Sequence, residues 1–169
     1  MNTLESLSAK LFNMTDETWE RHANPWSVWT RYACLPLFVL AISSYAWIGY
    51  TNLILIVLIG VWCWLNPRVF GKPRSTNNWA SKSVLGERVL LAGDKGPIPR
   101  HHKTALSILK FLMLLGVFTV VTGYICEEIA LVWLGVCIVI LAKSWFLDRM
   151  VWLYDEMSNI HVEYKEWLY

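Results

Sequence analysis

Residues 32–65 read YACLPLFVLAISSYAWIGYTNLILIVLIGVWCWL, without one charged side chain. At a rise of 1.5 Å per residue, a helix needs about 20 apolar residues to cross a bilayer core, and about 17 are tolerated. The stretch is too long for one crossing. It divides at Tyr50 and Thr51 into an apolar run 32–50 and a shorter run 52–65, which must recruit Thr51, Asn66 and Pro67 or sit in a locally thinned membrane. Two further blocks follow: 105–124, apolar apart from Lys110, and 129–142, which continues past Lys143 into Trp145, Phe146 and Leu147. Four transmembrane helices are therefore expected. A soluble bundle would need polar helix faces that these runs lack. The first run begins after about 30 residues and leads into a second span without a processing site, so it is expected to persist as a helix instead of acting as a secretory signal.

Composition agrees. Hydrophobic residues make up 56% of the 169, charged residues 17%, and there are 11 tryptophans, a balance suited to a chain solvated by lipid. Orientation follows from the basic residues. The stretch 66–104 carries Arg68, Lys72, Arg74, Lys82, Arg88, Lys95, Arg100 and Lys103 against Glu87 and Asp94, whereas the opposite turns carry only Glu127 and Glu128. Positive-inside asymmetry puts that loop in the cytoplasm, and an even number of spans puts both termini there too. The basic loop excludes nothing by itself, but being pinned to the membrane it makes nucleic acid an unsuitable partner; membrane lipids are the expected one. Cys34, Cys63, Cys126 and Cys137 form no Cys-x-x-Cys pair and read as packing residues, not as a disulfide framework.

The expected architecture is all-α and polytopic: an amphipathic N-terminal segment 1–30, a membrane domain 31–149 with a structured cytoplasmic loop 66–104, and a helical extension 150–169 of the fourth membrane helix. In the first segment Leu4, Leu7, Leu11 and Met14 form a helical stripe, and Thr15 followed by Asp16 and Glu17 starts a new helix that Asn24-Pro25 ends. Phe146, Met150, Leu153, Met157, Ile160, Tyr164 and Trp167 alternate spacings of four and three with no glycine or proline between them. That seam predicts a continuous helix needing a partner: the N-terminal stripe or a second copy of the chain, giving a homodimer. Its acidic balance argues against the membrane surface. Residues 79–91 fit a helix weakened by Gly86, while 88–91, the Gly93-Asp94-Lys95-Gly96 turn and Pro97-Ile98-Pro99 equally fit a short hairpin.

No nucleotide-binding, nucleophile-elbow or zinc-hydrolase signature is present, which removes nucleotide hydrolysis and the common zinc hydrolases. What remains is a gathering of polar residues at one depth. His22, Asn24 and Arg31 lead into the first span, Asn66 and Arg68 leave the second, His101 and His102 precede the third, and Lys143, Asp148, Arg149 and Asp155 mark the end of the fourth. Tryptophans and basic residues at these depths also serve as interfacial anchors. Three chemical readings follow. His22, His101, His102, Asp148 and Asp155 are the candidate ligands of a divalent metal. Asn24, Asn66, Arg68, Lys82, Glu87, Arg88, Arg100 and Arg149 are candidate ligand-binding groups, with the guanidiniums suited to a phosphate-bearing head group. His22 or His102, oriented by Asp148, is the candidate acid or base. The rival functions are a nonenzymatic assembly protein using the seam and an oligomeric transporter or channel, the latter weakened by the near absence of ionisable groups within the apolar blocks.

The runs HANPWSVWTR (22–31), WLNPRVF (64–70), WASKSVLGER (79–88), PIPRHH (97–102) and KSWFLDRM (143–150) resemble those of a family of small bacterial and archaeal membrane proteins catalogued only as a domain of unknown function. The likeness covers roughly residues 20–157. It implies a compact four-helix membrane protein and brings no catalytic assignment.

Overall fold

A computed structural model describes residues 14–92 and 98–169 of the chain. Leu4, Leu7 and Leu11 of the N-terminal stripe and the 93–96 turn lie outside the described residues. Helices account for all regular structure among the described residues: α1 (Asp16–His22), α2 (Pro25–Tyr32), α3 (Cys34–Ser43), α4 (Tyr45–Ile48), a 3-10 turn at Gly49–Thr51, α5 (Asn52–Val69), α6 (Trp79–Ala92), α7 (Arg100–Ile125), α8 (Ile129–Ile160) and α9 (Val162–Lys165).

Three helical segments are long and apolar enough to cross a membrane: Pro25–Val69, Arg100–Ile125 and Ile129–Ile160. Of the most apolar window of the first, only 6% is buried within the chain. Leu53, Val57, Phe111, Phe118 and Leu141 are likewise exposed. Such faces are stable only against lipid, and this is a helical membrane-spanning protein.

The first segment is not one rod. Pro36 has no N–H to donate to the carbonyl of Tyr32, and the helix breaks at Ala33. It breaks again at Ser44, and Gly49, at φ 56°, takes the left-handed backbone that opens the turn. The chain then doubles back: Asn52 Nδ2 donates to the Ala41 carbonyl at 3.3 Å, while Asn66 bonds Ser27 and Thr30 at the far end. The two pairings fix an antiparallel hairpin. α5 does recruit Asn66 and Pro67, reaching 18 residues, or about 27 Å. Within this hairpin Cys34 and Cys63 interact as neighbours, and both are free thiols.

α7 and α8 form a second hairpin. Its two backbones nearly touch: a Cβ on Gly116 would lie 3.0 Å from the Gly135 carbonyl oxygen, and one on Gly123 2.6 Å from the Val132 nitrogen. Small residues of this kind let membrane helices approach closely.

The main apolar core gathers in a cap, where α6 and α9 pack against the ends of these segments. There α6 settles the choice left open for residues 79–91. Asn78 caps it, its Oδ1 accepting from Ser81 N at 2.9 Å. Ala80, Val84, Leu85 and Val89 then pack on Leu106, Leu109 and the lower half of α8. Gly86 is the contact point: a Cβ there would collide with the main chain of Met150.

The C-terminal seam packs largely within the chain. Phe146, Met150, Leu153, Met157 and Tyr164 are buried inside the chain, with Met150 and Leu153 0% exposed, while Ile160 is 64% exposed. α6 and α9 pack on these residues, for which the sequence offered the N-terminal stripe or a second copy of the chain. The expected continuous helix to Trp167 is corrected. It ends at Ile160, His161 is extended, and α9 folds back so that Tyr154 Oη donates to the Tyr164 carbonyl at 2.9 Å. The last residues are tied to the chain after α5: Thr76 N donates to the main-chain oxygen of Tyr169 at 2.8 Å.

Candidate functional site

Where α2 and α3 leave the cap, the turn His22–Asn24 and the helix that follows build a hydrogen-bonded chain with a single direction. Thr15 caps α1 by accepting from Thr18 N, and Asn24 caps α2 by accepting from Trp26 N at 3.0 Å, with Pro25 at the first helical position. Ser27 and Arg31 stand four apart on α2, on one face, and both reach His22. Arg31 Nη1 lies 2.9 Å from His22 Nε2, and His22 Nδ1 lies 2.7 Å from Ser27 Oγ. Ser27 Oγ donates to Asn66 Oδ1 at 2.7 Å, Asn66 Nδ2 to Thr30 Oγ1 at 2.8 Å, and Thr30 Oγ1 to the Trp26 carbonyl at 2.6 Å.

The tautomer of His22 is fixed from both ends of this chain. Arginine has no acceptor, so Nε2 must carry the lone pair; the only hydroxyl hydrogen of Ser27 is given to Asn66, so Nδ1 must be the donor. Burial, reinforced by the charge of Arg31, pushes the His22 pKa down to about 3, and the ring is neutral at physiological pH. The Ser27–His22 pair is not a nucleophile and its base, because the proton runs from His22 towards Ser27 and Ser27 is fully buried.

Next to this network α6 and α8 contribute an ion pair, Lys143 Nζ to Glu87 Oε1 at 3.0 Å. Burial alone would raise the Glu87 carboxyl, but Lys143, through its charge and its hydrogen bond and with a smaller contribution from Arg31, holds the group below the usual carboxylate range. His22, Arg31, Glu87 and Lys143 form the polar side of a cavity of about 160 Å³ whose remaining walls are apolar, among them Val28, Leu35, Val84, Val139, Ile140 and Leu147. Two cations, one anion and a neutral imidazole leave the cavity with one net positive charge.

The structure thus brings together His22, Asn66 and Glu87 among the expected site residues, and adds Arg31 and Lys143. The other expected residues fall elsewhere. Asn24 Nδ2 donates to the Gly71 carbonyl at 2.9 Å. Arg68 lies over the Trp64 ring and bonds its carbonyl. Lys82 pairs with Asp155 at 3.0 Å, Arg88 with Asp16 at 2.5 Å, and Arg149 covers the Trp152 ring. Arg100 is exposed at the start of α7. Asp148 accepts from Trp79 Nε1 at 3.2 Å and orients neither histidine. His102 bonds Glu156, not His22 or Asp148. Lys143 and Glu156 stand thirteen residues apart on α8, about 20 Å along its axis, so the set His22, His102 and Asp148 does not converge. For the same reason the metal ligand set His22, His101, His102, Asp148 and Asp155 is not assembled. A smaller one is: ligand atoms of His101, His102 and Glu156 lie within 4.8 Å of one another, consistent with a divalent metal. Glu156 gave no sign in the sequence, since no spacing ties it to a residue 54 positions earlier.

Residues 3–166 match a family described as one of unknown function, DUF6653. The chain belongs to that family. The match takes in both tails, beyond the 20–157 of the sequence resemblance, so α9 and its packing on α8 are part of the family domain. No curated protein and no solved structure matches the chain, and DUF6653 membership assigns no residue a role.

Proposed function

We propose that this chain crosses the membrane four times, with the cap and both ends in the cytoplasm, and that the cavity at His22, Arg31, Glu87 and Lys143 binds the anionic head of an amphiphile, a phosphate or a carboxylate. The observation that carries this is the pairing of a polar end bearing one net positive charge with apolar walls drawn from α3 and the apolar part of α8. A free hydrophilic anion has no use for such walls; a lipid-like molecule does. Four crossings follow if each arm of the first hairpin spans, and the basic residues of 66–104 favour the cytoplasm. The Nε2 lone pair of His22 is covered by Arg31, and a ligand that draws the guanidinium to its own charge frees it as a hydrogen-bond acceptor. The homodimer reading is not favoured, because Phe146, Met150, Leu153, Met157 and Tyr164 of its seam pack within the chain.

The test is binding of phosphatidic acid, phosphatidylcholine and a free fatty acid to the purified chain in detergent by native mass spectrometry. Retention of either anionic amphiphile, weakened about tenfold or more in Lys143→Met and Arg31→Met through loss of a charge-assisted bond, is the expected result. Equal retention of phosphatidylcholine, or unchanged binding by both variants, would sink the reading. Arg68→Ala serves as control, since Arg68 does not line the cavity.

A further inference from the structure

A second cluster lies at the N-terminal end of α7, outside the cavity. We infer that His101, His102 and Glu156 form a site for a borderline divalent transition ion, for which zinc is the probe. His101 Nε2 and His102 Nε2 lie 3.1 and 2.9 Å from the same oxygen, Glu156 Oε2, and the two rings stand 4.3 Å apart between centroids. An ion bonded at about 2.0–2.2 Å in tetrahedral geometry holds its donor atoms roughly 3.3 Å from one another. Both histidine-to-carboxylate separations are therefore close to ligand spacing before any ion arrives, and all three ligand atoms lie within 4.8 Å of one another.

A structural tether between α7 and α8 would explain one such bond. It does not explain why two adjacent imidazoles converge on one carboxylate oxygen while the other nitrogen of His102 is left without a partner. His102 is 1% exposed, and its Nδ1 is buried with no hydrogen bond. The contrast with His22 is informative. There, both ring nitrogens are engaged and the tautomer is locked; in His102 nothing at Nδ1 holds the proton on Nε2. Moving that proton to Nδ1 frees the Nε2 lone pair for a metal with no change in the charge of the ring, at the cost of one hydrogen bond and of a buried N–H at Nδ1.

The surroundings also select the ion. Arg100, Lys103 and Arg149 and the positive end of α7 oppose a cation. Magnesium and calcium, which depend on carboxylate charge and oxygen donors, are disfavoured, whereas zinc, iron or manganese gains from two imidazoles. The side chains of His101 and Glu156 are 59% and 39% exposed, which leaves a path for entry and positions open for water or a substrate.

The purified full-length chain in detergent, stripped with chelator, is titrated calorimetrically with zinc chloride and with magnesium chloride near pH 7.5. One zinc per chain is expected, with affinity at least tenfold lower in His101→Ala and in Glu156→Gln and unchanged in His161→Ala; magnesium should give no saturable binding. No saturable zinc binding by folded protein, or equal binding by wild type and His101→Ala, overturns the proposal. Circular dichroism checks the fold of each variant, and His101→Ala, at an exposed position, carries the test if Glu156→Gln unfolds.

Discussion

His22 differs from the other histidines in having each nitrogen assigned, and this gives it a pH signature. Its folded pKa of about 3 lies below the unfolded value near 6.5, so the unfolded chain binds the extra proton. Stability is then fully present above about pH 6.5 and falls as pH drops towards the folded pKa. Between pH 7 and pH 5 the loss from this residue alone is about 2 kcal/mol. Glu87, with its pKa depressed, contributes at all pH above the ordinary carboxylate range and loses that contribution only below it, so it does not blur this window. Thermal unfolding in detergent from pH 7 to 5 should show the slope in the wild type and a flattened one in His22→Asn. An equal slope in both would mean that another group carries it. Arg31 and Lys143 are the residues whose role sequence reasoning understated: each reads as an interfacial anchor on its own, and only the meeting of α2, α6 and α8 turns them towards one cavity.

Single contacts govern the elements. Asn78 caps α6, and Asn78→Ala should cost about 1 kcal/mol without altering the cavity. Gly86→Ala is the harsher test. The added methyl meets the Met150 main chain, which cannot rotate away as a side chain would, and the helix must shift as a whole. Destabilisation at the upper end of about 1–3 kcal/mol is expected, together with weaker ligand retention because Glu87 is the next residue. Retained stability in a denaturant series would show that α6 sits further from α8 than described. In the sequence Gly86 looked like a weakness in a marginal helix. A glycine's lack of a side chain reads as low helix propensity along the chain, but as close approach once a neighbouring helix is present.

For the whole molecule the cap is the determining feature. It holds the largest apolar core, draws on α1, α6, the ends of α7 and α8, and α9, and is tied at its rim by Lys82–Asp155, Arg88–Asp16 and the 75–76 to Tyr169 bonds. Replacing Met150, Leu153 and Met157 together with polar residues should therefore unfold the monomer, not merely separate a dimer. Size-exclusion chromatography with light scattering should show aggregation or loss of the folded species, while a well-folded monomeric variant of a dimeric wild type would restore the assembly reading. Reporter fusions at both ends test the orientation: cytoplasmic activity at each is expected. The apolar runs and their approximate limits were legible in the sequence, because a lipid-crossing helix must be apolar along its whole length and lipid contact depends on local composition alone. Thr15 and Asn24 were legible as helix boundaries for an equally local reason, since a cap bonds the backbone two or three residues on. The break at Ala33, the burial of the seam by α6, the convergence of Arg31 and Lys143 on Glu87 and His22, and the meeting of His101 and His102 with Glu156 were decided by the tertiary structure. Each depends on which helix faces which across tens of residues, and heptad spacing states only that a face wants covering, not what covers it.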